Sequence, residues 1–317
     1  MIGNGRETMR PRHFLSLKDW SPEELVALFD LAAGLKAQPE GWAEALKGRS
    51  LAMIFQKPST RTRVSFEVGM SQLGGRALFL GADDVQLHRG ETVGDTARVL
   101  SRYVDAIMAR VFAHQDLLDL ARQGTVPVIN GLSDLLHPCQ ALADYFTLRE
   151  RRGDVRGLKV AYVGDGNNVC HEQMFGAVKL GCTMSVGCPP GYEPNKLIFK
   201  SAAQEAQKLG SPVPEVSNDP MAAVAGADVV YTDVWTSMGQ EKESQKRLQD
   251  FQGFQVSPEM MAVAKPEAIF MHCLPAHRGD EVDASVIDGP QSVVFDQAEN
   301  RLHVQKAILL TLMGALA

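Results

Sequence analysis

From residue 50 onward, short runs of apolar and β-branched residues alternate with segments whose apolar residues recur at helical spacing. This alternation is typical of βαβ units, which build parallel sheets with helices on both faces. The pattern therefore predicts an α/β fold. The first predicted series has strands near 50–55, 77–80, 104–109 and 126–129 and helices near 63–73, 92–103, 114–123 and 137–152. The second series has strands near 158–163, 183–188, 213–216, 228–232, 268–272 and 292–295.

Gly153, Asp154 and Gly157 interrupt the pattern between the two series and indicate a domain boundary. A chain of 317 residues is long enough for two domains, each with its own core. We therefore predict domains at 1–150 and 151–301, each a parallel-sheet α/β unit with helices on both faces, joined by long helices. A closing helix, about 302–317, is predicted to pack back on the first domain.

Net charge and composition narrow the classes of molecule that the protein can bind. The formal net charge of −6 argues against the basic surface that nucleic acids or acidic membranes require, so an anion must be bound by a local cluster. The five cysteines form no C-x-x-C pair, which suits reduced thiols. No signal core or membrane-spanning run is found at either end. We expect a soluble, cytoplasmic protein without a nucleic-acid or membrane partner.

The segment from Lys57 to Arg63 places hydroxyls and two guanidiniums between a predicted strand and a predicted helix. Free backbone N–H groups and the positive helix end attract an anion there, while Arg61 can add a bidentate fork. The alternative is an ordinary N-cap with solvated arginines. Two arginines at a helix N-terminus oppose the helix dipole, however, and this favours a phosphate site.

Further polar residues follow predicted strands, where ligands bind in open α/β sheets. Arg110 follows one strand, and another leads to His137 and Gln140, which lie three apart on one helix face. An imidazole and a carboxamide there would suit a planar group that has both a carbonyl and an NH₂. The alternative is a His N-cap with an exposed Gln.

The turn from Gly164 to Val169 matches the dinucleotide-binding motif at its first two glycines but lacks the other residues that the motif requires. Val169 stands where the third small residue is required, and the next strand ends in prolines without an acidic residue for a ribose. Asn167 and Asn168 would instead present two amides to a small zwitterion.

Asp233 and Cys273 end two further predicted strands and bring an acid and a thiol to the same edge. A zinc site at His272, Cys273 and His277 is disfavoured, because adjacent His and Cys side chains seldom bind one ion. Covalent catalysis by Cys273 is disfavoured as well, since no general base can be assigned to it. The polar stretch 237–250 is predicted to be a solvated loop or a lid.

Seven elements together resemble the aspartate/ornithine carbamoyltransferase family and occur in its order over nearly the whole chain. They are Ser59–Arg63, Arg110, His137–Gln140, Asp165–Asn168, Asp233–Gly239, His272–Pro275 and Glu299–Arg301. The paired asparagines, the Ser-Met-Gly element and the His-Cys-Leu-Pro element are similar to the ornithine branch. The resemblance implies transfer of a carbamoyl group from carbamoyl phosphate to the δ-amine of L-ornithine, giving L-citrulline for arginine biosynthesis, without a metal or organic cofactor.

The resemblance also implies roles for individual residues. The first domain would bind carbamoyl phosphate and the second ornithine, with a catalytic set of Cys273, Asp233, Arg61, Arg110 and His137. Gln86 falls where the family reaches into a neighbouring subunit, so a homotrimer or an assembly of trimers is expected. Carbamoyl phosphate would contact Ser59, Thr60, Arg61, Thr62, Gln86, Arg110, His137, Gln140, Cys273, Leu274 and Arg301. Ornithine would contact Asn168, Asp233, Ser237 and Met238, and the stretch after Ser237 becomes a lid.

Direct attack of the amine on the carbamoyl carbon is the expected mechanism. Asp233 would position the amine, and Cys273, with the phosphate as a further acceptor, would take part in removing its proton. One departure from the family is Glu172, which stands where a small hydroxyl residue is usual and is expected to affect how the asparagine amides are presented. The alternatives are a carbamoyltransferase for aspartate or putrescine and a non-catalytic carbamoyl-phosphate-binding protein.

Overall fold

The computed structural model describes residues 12–84, 90–236, 239 and 241–314. It contains two parallel sheets, which confirms the predicted class of two α/β units. The first sheet has the order β2-β1-β3-β4 and the second the order β7-β6-β5-β8-β9. The strands are β1 Ser50–Phe55, β2 Arg76–Gly81, β3 Ala106–Arg110, β4 Val128–Leu132, β5 Lys159–Val163, β6 Thr183–Gly187, β7 Glu215–Ser217, β8 Val229–Thr232 and β9 Ile269–His272.

Helices connect the strands and cover both faces of each sheet. No helix in the described ranges is long and apolar enough to cross a membrane. The helices are α1 Pro22–Ala37, α2 Thr60–Gln72, α3 Val93–Leu100, α4 His114–Gln123, α5 Pro138–Arg152, α6 Asn168–Leu180, α7 Lys196–Leu209, α8 Pro220–Val224, α9 Ser244–Asp250, α10 Pro258–Val263, α11 Ala284–Ile287 and α12 Val294–Leu312.

Alternation along β1 shows why both faces of the first sheet are covered. Leu51, Met53 and Phe55 face one core, which also contains side chains of α1, α2, α5 and α12. Ala52 and Ile54 face the opposite core beneath α3 and α4. A strand that is buried on both faces must be apolar throughout, and for this reason it reads as a continuous apolar run.

One of these cores continues from the first domain into the second. Val160 and Tyr162 of β5 belong to the same buried cluster as the inner face of β1, and Ala161 and Val163 face a separate core. Helices α5 and α6 pack against each other within the shared cluster. The two sheets are therefore joined by packed helices, and the polar ends of their strands meet at a common cleft.

The closing helix begins earlier than the sequence predicted. Residues 292–295 do not form the predicted strand, because Ser292 makes only an isolated bridge to Phe270 and α12 begins at Val294. This short apolar run is the first turn of a helix that buries Val294. From there α12 packs against α1, α2 and α5, the helices of the first sheet.

Candidate active site

A cleft of about 1640 Å³ lies at the carboxyl ends of the strands of both sheets. Thr62 lies just beneath its surface, fully buried, and Gln86, Ser237 and Met238 lie outside the described residues. The cleft thus collects most of the predicted site residues from both halves of the chain. It is lined by Ser59, Thr60, Arg61, Arg110, His137, Gln140, Asn168, Asp233, Cys273, Leu274 and Arg301.

The N-terminus of α2 forms the floor of the cleft on the side of the first sheet. Ser59 caps the helix by accepting a hydrogen bond from the backbone N–H of Thr62 at 3.3 Å. Arg61 lines the cleft, whereas Arg63 pairs with Glu67 and stacks on Phe79. Both sequence interpretations therefore hold in part: Ser59 is an N-cap and Arg63 is a surface residue, but Arg61 faces the cleft.

Two further guanidiniums enter the cleft close to Arg61. Burial, together with the nearby charges of Arg301 and Arg61, lowers the pKa of Arg110 to about 9. Among the described residues, none of the three arginines forms an ion pair with a carboxylate, and Arg301 instead donates to Gln140 at 3.1 Å and to Thr62 at 2.8 Å. Buried positive charge without a counter-charge is costly, so this cluster is suited to a multiply charged anion.

His137 and Gln140 face this cluster from the first turn of α5. Burial and the charges of Arg301 and Arg110 hold the pKa of His137 well below its usual value, so the imidazole is neutral. Its Nδ1 is buried without a hydrogen-bond partner. Gln140 is fully buried, which contradicts the alternative of an exposed Gln beside a capping His. A neutral imidazole and an oriented carboxamide remain to bind a ligand.

The turn after β5 supplies the opposite wall. Asn167 caps α6 through its Oδ1 and donates from Nδ2 to Asp233 at 2.7 Å, while Asn168 donates to the backbone oxygen of Ser133 at 2.6 Å. A Cβ at Gly166 would lie 2.3 Å from the backbone N of Pro194. Gly166 is therefore explained by the close packing of the chain against Pro194. This agrees with the incomplete match of the turn to the dinucleotide-binding motif.

Asp233 and Cys273 lie side by side at the ends of β8 and β9. The Cys273 thiol donates to Asp233 Oδ1 at 2.9 Å. Burial and the adjacent Asp233 carboxylate raise the pKa of Cys273 well above its usual value, so the sulfur carries a proton. Leu274 follows with a φ of 57°, a strained backbone conformation of the kind that clusters at functional sites.

The polar stretch 237–250 is partly helical rather than only a solvated loop. From α9, Arg247 reaches Asp165 at 2.7 Å and the backbone oxygen of Trp235 at 2.8 Å, and its side chain is only 7% exposed. Sequence reasoning missed Arg247 as a residue of the cleft. The sequence shows only an arginine within a polar segment, which is indistinguishable from a solvated charge until its partner is known.

Among the residues that the structure describes, two clusters of side chains have potential metal-ligating atoms within 4.8 Å of one another. One is Asp233, His272 and Cys273, and the other is His277, Asp280 and Glu281. In the first cluster His272 has no nitrogen to offer, because Nδ1 accepts from Leu274 N–H at 2.8 Å and Nε2 contacts Glu281 at 3.1 Å. His272 therefore cannot complete a metal site with Asp233 and Cys273.

Glu172 does not line the cleft. It is fully buried and accepts hydrogen bonds from Ser16 Oγ at 2.9 Å and from Leu17 N–H at 2.6 Å. These contacts involve neither Asn167 nor Asn168, so they do not support the expected effect of Glu172 on the asparagine amides. The residue instead joins α6 to the N-terminal segment of the first domain.

Comparison with known proteins gives matches over nearly the whole chain. Residues 12–150 match the model of the aspartate/ornithine carbamoyltransferase carbamoyl-P binding domain, and residues 156–312 match the Asp/Orn binding domain of the same family. The chain is 57% identical to ornithine carbamoyltransferase of Pyrococcus horikoshii over 97% of each protein. It is likewise 57% identical to the anabolic ornithine carbamoyltransferase of Pyrococcus furiosus, over 96% of this chain and 97% of that protein. The solved structure of ornithine carbamoyltransferase from Pyrococcus furiosus superposes with a TM-score of 0.93, covering 98% of this chain and 99% of that one.

Proposed function

The chain belongs to the aspartate/ornithine carbamoyltransferase family, and we propose that its cleft transfers the carbamoyl group of carbamoyl phosphate to the δ-amine of L-ornithine. The products are L-citrulline and phosphate. The observation that carries this proposal is the cluster of Arg61, Arg110 and Arg301 facing Asp233 and Cys273 across one cleft. Such an arrangement accommodates a polyanionic donor on one side and a cationic acceptor on the other.

Carbamoyl phosphate occupies the first domain, residues 1–150, in this proposal. The N–H groups at the start of α2, the hydroxyls of Ser59, Thr60 and Thr62, and Arg61 bind the phosphate. The remaining guanidiniums and neutral His137 then donate to the carbonyl oxygen, where negative charge grows in the transition state. Gln140 accepts from the carbamoyl NH₂, and Gln86 of a neighbouring subunit completes the site.

Ornithine occupies the second domain, residues 151–301, with Asn168, Asp233, Ser237 and Met238 as its contacts. Asp233 is the only carboxylate that touches Cys273 among the described residues, and it suits the cationic amine. The helix α9 is fixed to the β5–α6 turn through Arg247, and the stretch after Ser237 acts as a lid in this proposal. Closure of that segment would exclude water from a reactive acyl phosphate.

The transfer forms a bond from the δ-nitrogen to the carbamoyl carbon and breaks the bond from that carbon to the phosphate oxygen, which leaves with the electron pair. The amine must lose a proton, because an alkylammonium titrates near 10 and only its neutral form attacks. The raised pKa of Cys273 keeps its thiol protonated, and in that form the sulfur can accept no proton. The cationic amine beside Asp233 would lower the pKa of that thiol, so that Cys273 releases its proton to solvent as ornithine binds. The thiolate then takes the amine proton and passes it to the departing phosphate.

A homotrimer with shared sites is part of this proposal, and so is a location in the cytoplasm. Val64 and Val68 lie one turn apart on α2 and are exposed, as is Leu78 on the edge strand β2. These apolar residues lie on elements next to the cleft and support a subunit contact there. Sedimentation equilibrium should give a trimer that Val68→Arg dissociates with loss of activity. A fully active monomer would overturn the assembly.

Acceptor specificity tests the proposed reaction. Ornithine should be carbamoylated at least about a hundredfold faster than aspartate or putrescine at equal concentration, because the site must match both ends of an α-amino acid. Preference for aspartate or putrescine would reassign the second domain. Binding of carbamoyl phosphate without transfer to any amine would indicate a binding protein instead.

A further inference from the structure

A buried carboxylate lies directly behind the cleft and has no part in the reaction as described so far. Asp144, one turn after Gln140 on α5, is 1% exposed. It accepts hydrogen bonds from the side-chain amides of three glutamines on three different helices. Its Oδ1 accepts from Gln140 Nε2 at 2.8 Å and from Gln297 Nε2 at 2.6 Å, and its other oxygen accepts from Gln173 Nε2.

These contacts fix which way each amide points. The oxygen and nitrogen of a carboxamide are nearly equal in size, so the hydrogen-bond partners alone decide the orientation. Burial raises the pKa of Asp144 to about 7, and above that pH the ionised carboxylate only accepts. Arg301 on the other side only donates, so Gln140 turns its NH₂ toward Asp144 and its oxygen toward Arg301 and the cleft. If the amide turned round, its NH₂ would face a guanidinium and the cleft would lose an acceptor.

The same carboxylate connects the two halves of the site. Gln297, held by Asp144 through its NH₂, accepts at its oxygen the backbone N–H of His272 at 3.0 Å. His272 is the last residue of β9 and immediately precedes Cys273. One carboxylate thus holds a side chain of the donor half and the strand end that carries the thiol of the acceptor half.

We propose that Asp144 is a positioning residue of the carbamoyl transfer, which orients the Gln140 carboxamide so that its oxygen receives the carbamoyl NH₂. Through Gln297 it also keeps the end of β9 in register with that acceptor. The proposal rests on the proposed function only for the identity of the ligand. The amide orientation follows from the contacts themselves.

Three phosphate ligands, of which one carries the carbamoyl NH₂ group, test this role. Carbamoyl phosphate carries an NH₂ where acetyl phosphate carries a methyl group, and inorganic phosphate carries neither. In Asp144→Leu, which removes both acceptor oxygens, the dissociation constant of carbamoyl phosphate should rise about tenfold, the value of one hydrogen bond of about 1.4 kcal/mol. The constants for acetyl phosphate and inorganic phosphate should change less than about twofold.

Thr147→Val is the matched control. Thr147 lies one turn further along α5, is fully buried and accepts from Asn300 Nδ2 at 2.9 Å, so its loss removes a buried hydrogen bond outside the cleft. It should leave the preference for carbamoyl over acetyl phosphate unchanged. In a Gln140→Ala background, Asp144→Leu should likewise add no further loss of preference, because the amide that Asp144 orients is gone.

Equal weakening of all three ligands, or a loss of preference that persists without Gln140, would overturn the proposal. If Asp144→Leu does not fold, Asp144→Glu keeps both acceptor oxygens one methylene further out and must show the same selective loss. These binding measurements need no turnover. They therefore decide the role of Asp144 separately from the citrulline assay that decides the proposed function.

Discussion

The thiol of Cys273 donates a hydrogen bond to Oδ1 of Asp233 at 2.9 Å, across the ends of adjacent strands β9 and β8. The carboxylate helps to raise the pKa of the thiol, so the sulfur stays protonated. The thiol in turn donates to one of the two carboxylate oxygens that would bind a cationic amine. The pair is therefore a proton-sharing unit whose state depends on whether the amine is present.

Replacement of Cys273 by Ala should lower kcat by about a hundredfold, the usual contribution of a positioned proton-transfer group. The acid limb of the kcat profile should also move to higher pH, because the neutral amine must then form without help. Initial rates at saturating substrates across the pH range measure both effects. An unchanged profile would remove Cys273 from the proton transfer.

Arg61→Gly should abolish turnover with carbamoyl phosphate and weaken binding of inorganic phosphate, because Arg61 is the arginine of the α2 N-terminus that lines the cleft. Arg63→Gly is the matched control, since Arg63 pairs with Glu67 at the surface. Calorimetric titration with phosphate and rate measurements compare the two variants. Normal turnover in the Arg61 variant would refute the phosphate assignment.

Loss of Arg247 should raise the KM for ornithine about tenfold or more and leave the KM for carbamoyl phosphate nearly unchanged. Arg247→Met leaves Asp165 buried without its partner, which also costs about 3 kcal/mol of unfolding free energy. Gln245→Met, at an exposed position of the same helix, serves as the control. A proportional rise in both KM values would mean that α9 supports the whole cleft rather than the acceptor half.

The Glu172 carboxyl should make stability depend on pH. Burial raises its pKa to about 8 from an ordinary value of 4.5, so the folded chain retains a proton that the unfolded chain releases. The stability that the protonated Glu172 carboxyl contributes is therefore fully present below the pKa of this group in the unfolded chain. That stability is lost as pH rises through about 8. Glu172→Gln should lose less unfolding free energy than the wild type between about pH 5 and pH 9, as measured by denaturant titration. Glu267→Gln, at an exposed position, should follow the wild type.

The sequence predicted the strands of both sheets and the helices α2 to α5 of the first, but it located no helix between the strands of the second. After their first residues, β1 and β5 are apolar because they are buried on both faces, whereas residues 292–295 were misread because the first turn of a buried helix is equally apolar. Helix α1 was not predicted, although Ser21 and Glu24 form a capping box around Pro22 at its start.

The candidate site was predictable where chemistry follows a strand, as at Arg110 and Asp233. It was not predictable where function depends on a distant partner. Asp144 and Arg247 are ordinary polar residues of helices until their contacts with Gln140 and Asp165 are known. Glu172 was expected to affect the asparagine amides because of its position in the sequence, but it accepts a hydrogen bond from Leu17 N–H instead.

Formation of citrulline from carbamoyl phosphate and L-ornithine by the purified chain tests the central claim most directly. The account predicts metal-independent turnover, with citrulline and phosphate released in equal amounts and with both products absent in Arg61→Gly. Phosphate release without citrulline, or no turnover in a chain that binds carbamoyl phosphate tightly, would contradict it.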